Sequence, residues 1–289
     1  MNILITGITS MHGWPIYRLL DEMYPNRVFG IYPHKMVPFF HDKKNVFACN
    51  MEDFDNLKDI FDEVSPRVII HAGGICDLDL CEDTPQLAYD VNVTGAQNIV
   101  RLINEEYLLY ISSDLVFCGT TPYKNGYHED HLPTPISVIG KTYLQAEEKI
   151  KKSKNYGILR IGLPIGESLP GTKVAIDLIK KRLKNKRKMT LFYDEIRSLI
   201  HTQDLARGVF RFVEKHMNGL FHFGGPKKYS LYDIGKFLID TYQYPEDCLI
   251  RASRLDEING PPRVGDISLD SSKFYRRLDF VPGNPFQKK

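Results

Sequence analysis

The first thirteen residues constrain this chain most. Asn2-Ile3-Leu4-Ile5-Thr6 is a short apolar run that breaks at once into Gly7-Ile8-Thr9-Ser10-Met11-His12-Gly13, and Trp14, Ile16, Tyr17, Leu19, Leu20 and Met23 follow at helical spacing. A buried strand, a glycine turn and a helix start in that order open a dinucleotide-binding βαβ unit. Glycine serves such a turn because φ is positive there or because a pyrophosphate must approach the backbone closely. The amides of the helix N-terminus then hold the phosphates. The spacing is Gly-x-x-Ser-x-x-Gly, with Ser10 at the middle glycine position. A plain strand-turn-helix shares this pattern, so the rest of the chain has to decide.

The rest of the chain alternates. Residues 27–32, 45–49, 67–71 and 107–111 read as strands, and 53–64 and 85–103 as helices. Strands alternating with helices of this length predict an α/β fold: a doubly wound, Rossmann-type parallel sheet with helices on both faces and ligands at the carboxyl edge. The dinucleotide-binding domain is expected over 1–161 with part of 188–219. A smaller substrate-binding region is expected over 162–187 and 220–289. The Gly- and Pro-rich stretch 162–171 marks the exit from the first domain. Further helices are expected over 174–183, over 202–216 with Thr202 as cap and Gly219 as stop, and over 231–242 with Ser230 as cap. Asp270 is expected to cap a last short helix.

Composition narrows the function classes. The 289 residues are 43% hydrophobic, ample for such a domain, and a net charge of +2 is too balanced to make nucleic acid the main partner. No run of eighteen apolar residues predicts a membrane span, and the N-terminus is a strand without a charged leader, so a cytoplasmic protein without a membrane partner is expected. Five cysteines at irregular spacing, with no Cys-x-x-Cys pair, read as reduced thiols and not as a zinc site or disulfide frame. Seven cations lie between Lys180 and Lys188. They suit a nucleotide diphosphate or an anionic partner, and equally a solvated helix end whose charges complement the dipole.

The end of the second strand bears on the cofactor. An acidic residue there would hold the ribose hydroxyls of NAD, but the positions read Tyr32-Pro33-His34-Lys35. With no carboxylate and a cation present, a 2′-phosphate fits better, so NADP is expected over NAD.

Several stretches together resemble one family, the extended short-chain dehydrogenases/reductases, and within it the dTDP-4-dehydrorhamnose reductases. They are Thr6-Gly7, Asn50-Met51-Glu52-Asp53, His71-Ala72-Gly73-Gly74, the run from Val91 to Asn98, and Ile111 to Gly119. Arg160-Ile161-Gly162, Arg197-Ser198 with Asp204-Leu205-Ala206, and Ser268 to Lys273 continue the resemblance through nearly the whole chain. It implies that Gly7, Ser10, Met11 and Gly13 line a pyrophosphate, that Asn50 and Met51 flank the adenine, and that Ala72, Gly73 and Gly74 pass beneath the cofactor. Asn92 and Ser112 join the implied cofactor set, beside His34 and Lys35.

The catalytic segment departs from that family. Its members use a Tyr to protonate the keto oxygen while nicotinamide delivers hydride, and a Lys four residues later holds the ribose and lowers the Tyr pKa. The i, i+4 spacing puts both on one helix face. Aligned through Pro135 and Gly140, the Tyr position holds Ile139 and the Lys position Tyr143. Lys141 is about 200° round the helix from Ile139. Ser113 stands at the family's hydroxyl position, and Tyr143 is placed to touch the nicotinamide ribose without a cation to acidify it. Tyr123, Tyr127 and His128 in the preceding loop are the other candidate proton donors. Losing a positioned acid costs about 10²–10⁴-fold.

Two functions follow. One is NADPH-dependent reduction of a 4-keto nucleotide sugar, with Ser113 assisting. The other is a catalytically silent relative that binds dinucleotide or nucleotide sugar and acts as a regulatory or structural subunit, as a homodimer or beside a partner enzyme.

Overall fold

The computed structural model describes residues 1–40, 44–166, 169, 175–256 and 260–286. The strands are β1 (Ile3–Thr6), β2 (Val28–Tyr32), β3 (Val46–Ala48), β4 (Val68–His71), β5 (Tyr107–Ser113), β6 (Tyr156–Ile161), β7 (Leu163–Ile165), β8 (Met189–Phe192), β9 (Ile196–His201), β10 (Gly219–Phe223), β11 (Lys228–Ser230) and β12 (Leu249–Ala252). The main sheet is wholly parallel, in the order β3-β2-β1-β4-β5-β6-β10. This is the doubly wound arrangement expected from the alternation.

The helices are α1 (Gly13–Met23), α2 (Phe54–Val64), α3 (Leu78–Asp83), α4 (Pro85–Tyr89), α5 (Gly95–Leu102), α6 (Val138–Ile150), α7 (Ala175–Lys184), α8 (Thr202–Glu214), α9 (Leu231–Tyr242) and α10 (Ser272–Leu278). Alternation along β1 shows how they cover the sheet. Ile3 and Ile5 enter one core with Ile16 and Leu20 of α1 and Val209 and Phe212 of α8, while Leu4 enters the other with residues of α2, α5 and α6. Both faces are therefore closed, as a parallel sheet requires. A smaller region stands beside the sheet. It holds the three-stranded sheet β11-β9-β7 and the pair β12-β8, with α7 and α9 packed around Leu191, Leu199, Ile234 and Leu238.

Register aligns the carboxyl edge. Thr6 pairs with Ile31 and His71, and His71 with Tyr110. The loops after β1, β2, β4 and β5 consequently leave the sheet side by side.

Several boundaries differ from the sequence expectation. The helix expected over 85–103 is interrupted by one π turn at Asp90–Thr94, which carries Asn92. The cap of α8 is His201, whose Nδ1 accepts from the Gln203 N–H at 3.3 Å; Thr202 is already the first helical residue. Gly219 begins β10 instead of closing α8, which ends at Glu214. Ser230 caps α9 as expected, within a reciprocal capping box with Asp233. Asp270 accepts from the Ser272 N–H at 2.9 Å, although Ser271 holds the cap position of α10. Most of the exit stretch after Gly166, and Val174 at the start of the helix expected over 174–183, lie outside the described residues.

A buried ion pair ties the far half of the sheet together. Arg160 of β6 donates from Nε to Glu147 Oε1 at 2.8 Å and from Nη2 to Oε2 at 2.7 Å, and both residues are almost wholly buried. The Ser112 hydroxyl donates to the same carboxylate at 2.6 Å. His222 of β10 donates from Nδ1 to the Tyr127 carbonyl at 2.8 Å, leaving Nε2 facing Arg160 Nη1 at 3.5 Å. Burial, then the Arg160 charge, lowers the His222 pKa to about 3, so the ring is neutral here.

Candidate functional site

The loop after β1 packs against the loop after β4. At Gly7 φ is +68°, and a Cβ there would lie 2.3 Å from Gly73 Cα and 2.5 Å from Ala72 O, so no other residue fits. Ser10 closes the loop from within. Its hydroxyl accepts the Gly13 N–H at 2.9 Å and donates to Ala72 O at 3.3 Å, and His12 donates from Nε2 to the same carbonyl at 3.2 Å. The backbone N–H groups of Thr9, Met11 and His12 bond to nothing among the described residues. They precede α1, whose first turn carries no acidic side chain. Free amides at a helix N-terminus are the donor set that a pyrophosphate needs, so the residues present fit a dinucleotide.

The neighbouring loops bring the other expected residues to this edge. His34 and Lys35 are exposed just after β2, with no carboxylate between Tyr32 and Lys35, and the His34 N–H donates to Asn50 Oδ1 at 3.4 Å. Met51 is buried; its Sδ lies 3.4 Å from where a Gly73 Cβ would stand, and its Cβ 2.7 Å from where one would stand on Gly95. Asn98 holds Met51 from behind by donating to its carbonyl at 3.1 Å. Asn92 is committed to backbone and core: Oδ1 accepts the Ile75 N–H at 2.8 Å, and Nδ2 donates to Ile75 O at 3.2 Å and Thr142 Oγ1 at 3.0 Å. Ser112 is likewise committed to Glu147.

At the inner end, the two family positions on α6 hold neither a tyrosine acid nor a lysine. Ile139 is fully buried in the core beneath α6, and Lys141 is exposed on another face. Tyr143 is buried with its hydroxyl 3.0 Å from where a Gly74 Cβ would stand. Burial, followed by the neighbouring Cys76, Tyr110 and Cys81, holds its phenol well above the ordinary tyrosine range. Such a phenol keeps its proton and is a poor acid. Ser113 is half-buried; its hydroxyl accepts from the Leu115 N–H at 3.2 Å and donates to Asp114 at 3.2 Å. Among the loop candidates, Tyr127 stacks on Phe117 with centroids 4.1 Å apart, and its pKa is pushed up to about 12, chiefly by burial. Tyr123 stacks on His131 at 3.8 Å, and His128 lies between Glu129 and Asp130 at 3.5 and 3.3 Å.

Two arrangements carried no sequence signal. Arg197 grips Asp114 with Nε on Oδ2 at 2.6 Å and Nη2 on Oδ1, both side chains buried, which fastens β9 to the end of β5. Beneath the phosphate loop, His71 Nδ1 lies 2.7 Å from Thr6 Oγ1, while its Nε2 is buried without a hydrogen-bond partner. Burial lowers the His71 pKa to about 3, with His12 adding to the shift, and lowers that of His12 to about 4.

These shifts have a definite sign. An unfolded histidine takes up its proton near pH 6.5, whereas folded His71 does not until about pH 3, so its stabilising effect is complete above pH 6.5 and is lost as pH falls from there towards 3. Across that window stability should drop by up to about 1.4 kcal/mol per pH unit from this residue alone. In urea unfolding between pH 7 and pH 4.5, His71→Gln should show a shallower pH slope than the native chain; equal slopes would contradict a neutral buried His71.

Comparison with known proteins places this geometry. The chain is 28% identical over 294 residues to methionine adenosyltransferase 2 subunit beta of Xenopus laevis, covering 98% of this chain and 84% of the relative. A hypothetical dTDP-4-dehydrorhamnose reductase from Sulfolobus tokodaii superposes with a TM-score of 0.81 at 25% identity, covering 98% of both chains. The dTDP-4-dehydrorhamnose reductase of Bacillus anthracis, solved in complex with NADP, superposes with a TM-score of 0.82 at 20% identity, covering 99% of this chain and 96% of that one. The sequence profile described as the RmlD substrate binding domain matches residues 1–284. With an extended short-chain dehydrogenase/reductase sheet and a glycine loop latched onto the end of β4, the chain belongs to the RmlD substrate binding domain family.

Proposed function

We propose that this chain is a catalytically silent, dinucleotide-binding subunit that acts beside a partner enzyme, a catalytic chain of the methionine adenosyltransferase type. The observation that carries this reading is the pair Ile139 and Tyr143: a core aliphatic where the proton donor should be, and a sealed neutral phenol where its activating cation should be. The likeness to methionine adenosyltransferase 2 subunit beta over 98% of the chain supports a partner role. The free amides of Thr9, Met11 and His12 support a retained pyrophosphate site. In this reading Gly7, Ser10, Met11 and Gly13 hold the phosphates, Asn50, Met51, Ala72, Gly73 and Gly74 form the floor, and Asn92 and Ser112 support it through the bonds described.

The alternative, reduction of a 4-keto nucleotide sugar, keeps one observation in its favour, the half-buried Ser113 at the end of β5. One experiment separates the two. The purified chain is assayed for NADPH consumption with a panel of keto sugars, and for co-purification with a methionine adenosyltransferase catalytic chain. Association without turnover is expected; turnover without association would overturn the proposal.

The cofactor is expected to be NADP. With His34 and Lys35 exposed after β2, a charge-assisted contact to a 2′-phosphate should contribute about 1.5–3 kcal/mol, or roughly ten- to a hundredfold. Calorimetry should show NADPH binding tighter than NADH by that ratio, and Lys35→Ala should remove most of the difference. Equal affinities in the native chain would refute the assignment.

A further inference from the structure

The end of α7 and the turn into β8 carry the seven cations between Lys180 and Lys188, and all but Lys180 are exposed. Lys186 adopts a left-handed φ of 53°, so the chain reverses and Arg182 comes beside Lys188, with Arg182 Nη2 donating to the Lys188 carbonyl at 3.4 Å. The last carbonyls of the helix do not need these side chains. Lys181 O accepts the Asn185 N–H at 3.1 Å, Arg182 O the Arg187 N–H at 2.9 Å and Leu183 O the Lys186 N–H at 3.0 Å, so backbone amides cap the helix end.

Nor are the cations neutralised nearby. Elsewhere on the surface Lys58 lies 2.7 Å from Asp62 and Lys151 2.6 Å from Glu148, whereas among the described residues none of the seven forms an ion pair. The carboxylates near this end are few. Asp177 is the acidic residue of α7, Asp240 of α9 stands 4.0 Å from Lys236, and Glu246 and Asp247 precede β12, which runs parallel to β8 with Leu249 opposite Met189. With all four counted the face stays positive, while the rest of a chain of net charge +2 carries no excess of positive charge. Attraction for an anion is therefore concentrated here.

An apolar residue stands among these charges. Ile179 and Leu183 anchor the inner side of α7 in the core of the smaller region, which leaves Leu178, 45% exposed, on the outer side one turn before Lys181 and Arg182. A phosphate backbone has no use for that leucine, and the adjoining ring of Tyr242 is already engaged by Lys180 at 5.2 Å and by Tyr244 at 5.6 Å, so it offers bases a poor platform. One leucine is also too little apolar surface to enter a bilayer. We propose that this face docks an acidic segment of a partner protein, whose carboxylates lie along Lys181, Lys184 and the turn 186–188 and one of whose apolar side chains packs on Leu178.

The probe is a fluorescein-labelled oligoglutamate peptide with a leucine at its centre, its binding to the whole chain followed by anisotropy. Raising the salt from about 0.01 to 0.1 M, which shortens the screening length from about 30 to 10 Å, should weaken the native complex. Lys181→Glu with Lys184→Glu should weaken it at least about tenfold, since each exposed pair contributes up to about fivefold. Leu178→Ser should weaken it about threefold and leave unchanged the binding of a peptide with alanine in place of its leucine. Lys152→Glu, an exposed reversal of charge just beyond α6, should leave the affinity within about twofold of the native value. Insensitivity to the paired reversal at Lys181 and Lys184, or an equal loss in Lys152→Glu, would overturn the proposal. So would tighter binding of an oligothymidylate of equal charge, or of phosphatidylcholine vesicles containing phosphatidylserine, in competition with the peptide.

Discussion

Ile139→Tyr combined with Tyr143→Lys is expected to raise NADPH oxidation with dTDP-4-keto-6-deoxy sugars by at least about 10²-fold over the native chain if the sugar pocket is intact, the lower end of what a positioned acid contributes. The two residues stand one turn apart on α6, so the double substitution returns an acid and its activating cation to one helix face. Neither single change should suffice. A lone tyrosine introduced by Ile139→Tyr would share the fate of Tyr143, whose burial among Cys76, Tyr110 and Cys81 drives its phenol upward. Ile139 is fully enclosed, so a larger ring there costs about 1–3 kcal/mol of overpacking, and thermal unfolding of each variant must accompany the kinetics. Native turnover at ordinary enzyme rates, of order 1–10³ per second, would show that another residue is the acid and that the silent reading is wrong. Tyr127→Phe and His128→Ala would then locate it. If the double variant binds NADPH by calorimetry yet stays inert, the sugar pocket has diverged along with the acid.

Glu147→Leu should destabilise the fold by about 3–5 kcal/mol, the usual consequence of leaving a buried charge without its partner. Arg160 is enclosed between β5, α6 and β10, and the only other group facing its guanidinium within hydrogen-bond distance among the described residues is the neutral His222 ring at 3.5 Å. The Ser112 hydroxyl would also lose its acceptor. Glu147→Leu with Arg160→Met should recover most of the loss, because replacing both members of a buried pair by apolar groups is often close to neutral. Urea unfolding of the two single variants and the double tests this as a cycle. A loss below about 1 kcal/mol for Glu147→Leu would mean that water reaches the guanidinium, as at exposed pairs.

Five of the seven strands of the main sheet, β1 to β5, were legible in the sequence because their signals are local, whereas β6 and β10 were not read as strands. The unbroken apolar run of β1, which is buried on both faces, and the helical spacing of Ile16, Tyr17 and Leu20 can each be read within a dozen residues. The same holds for the turn at Gly7 and the cap at Ser230, where one side chain meets an amide three residues away. The loss of the Tyr and Lys from the catalytic helix was legible too, since Ile139 and Tyr143 are identities at fixed spacing.

The tertiary structure alone decided where the polar groups between these elements go. Asp114 and Arg197 are 83 residues apart, Thr6 and His71 are 65 apart, and Arg160 and His222 are 62 apart. Each pairing depends on strand register and on which loops leave the sheet together, which no local period encodes. The same reason explains α8, where the cap falls to His201 because β9 delivers that ring to the helix start, and Gly219, which the sheet recruits as the first residue of β10. Sequence therefore specified the first five strands of the scaffold and the identities at the two catalytic-helix positions. Only the folded chain showed that Ile139 is sealed in the core, that the phenol of Tyr143 is held neutral, and that Ser10 and His12 latch the glycine loop onto Ala72, because burial and long-range hydrogen bonds exist only once distant segments are packed.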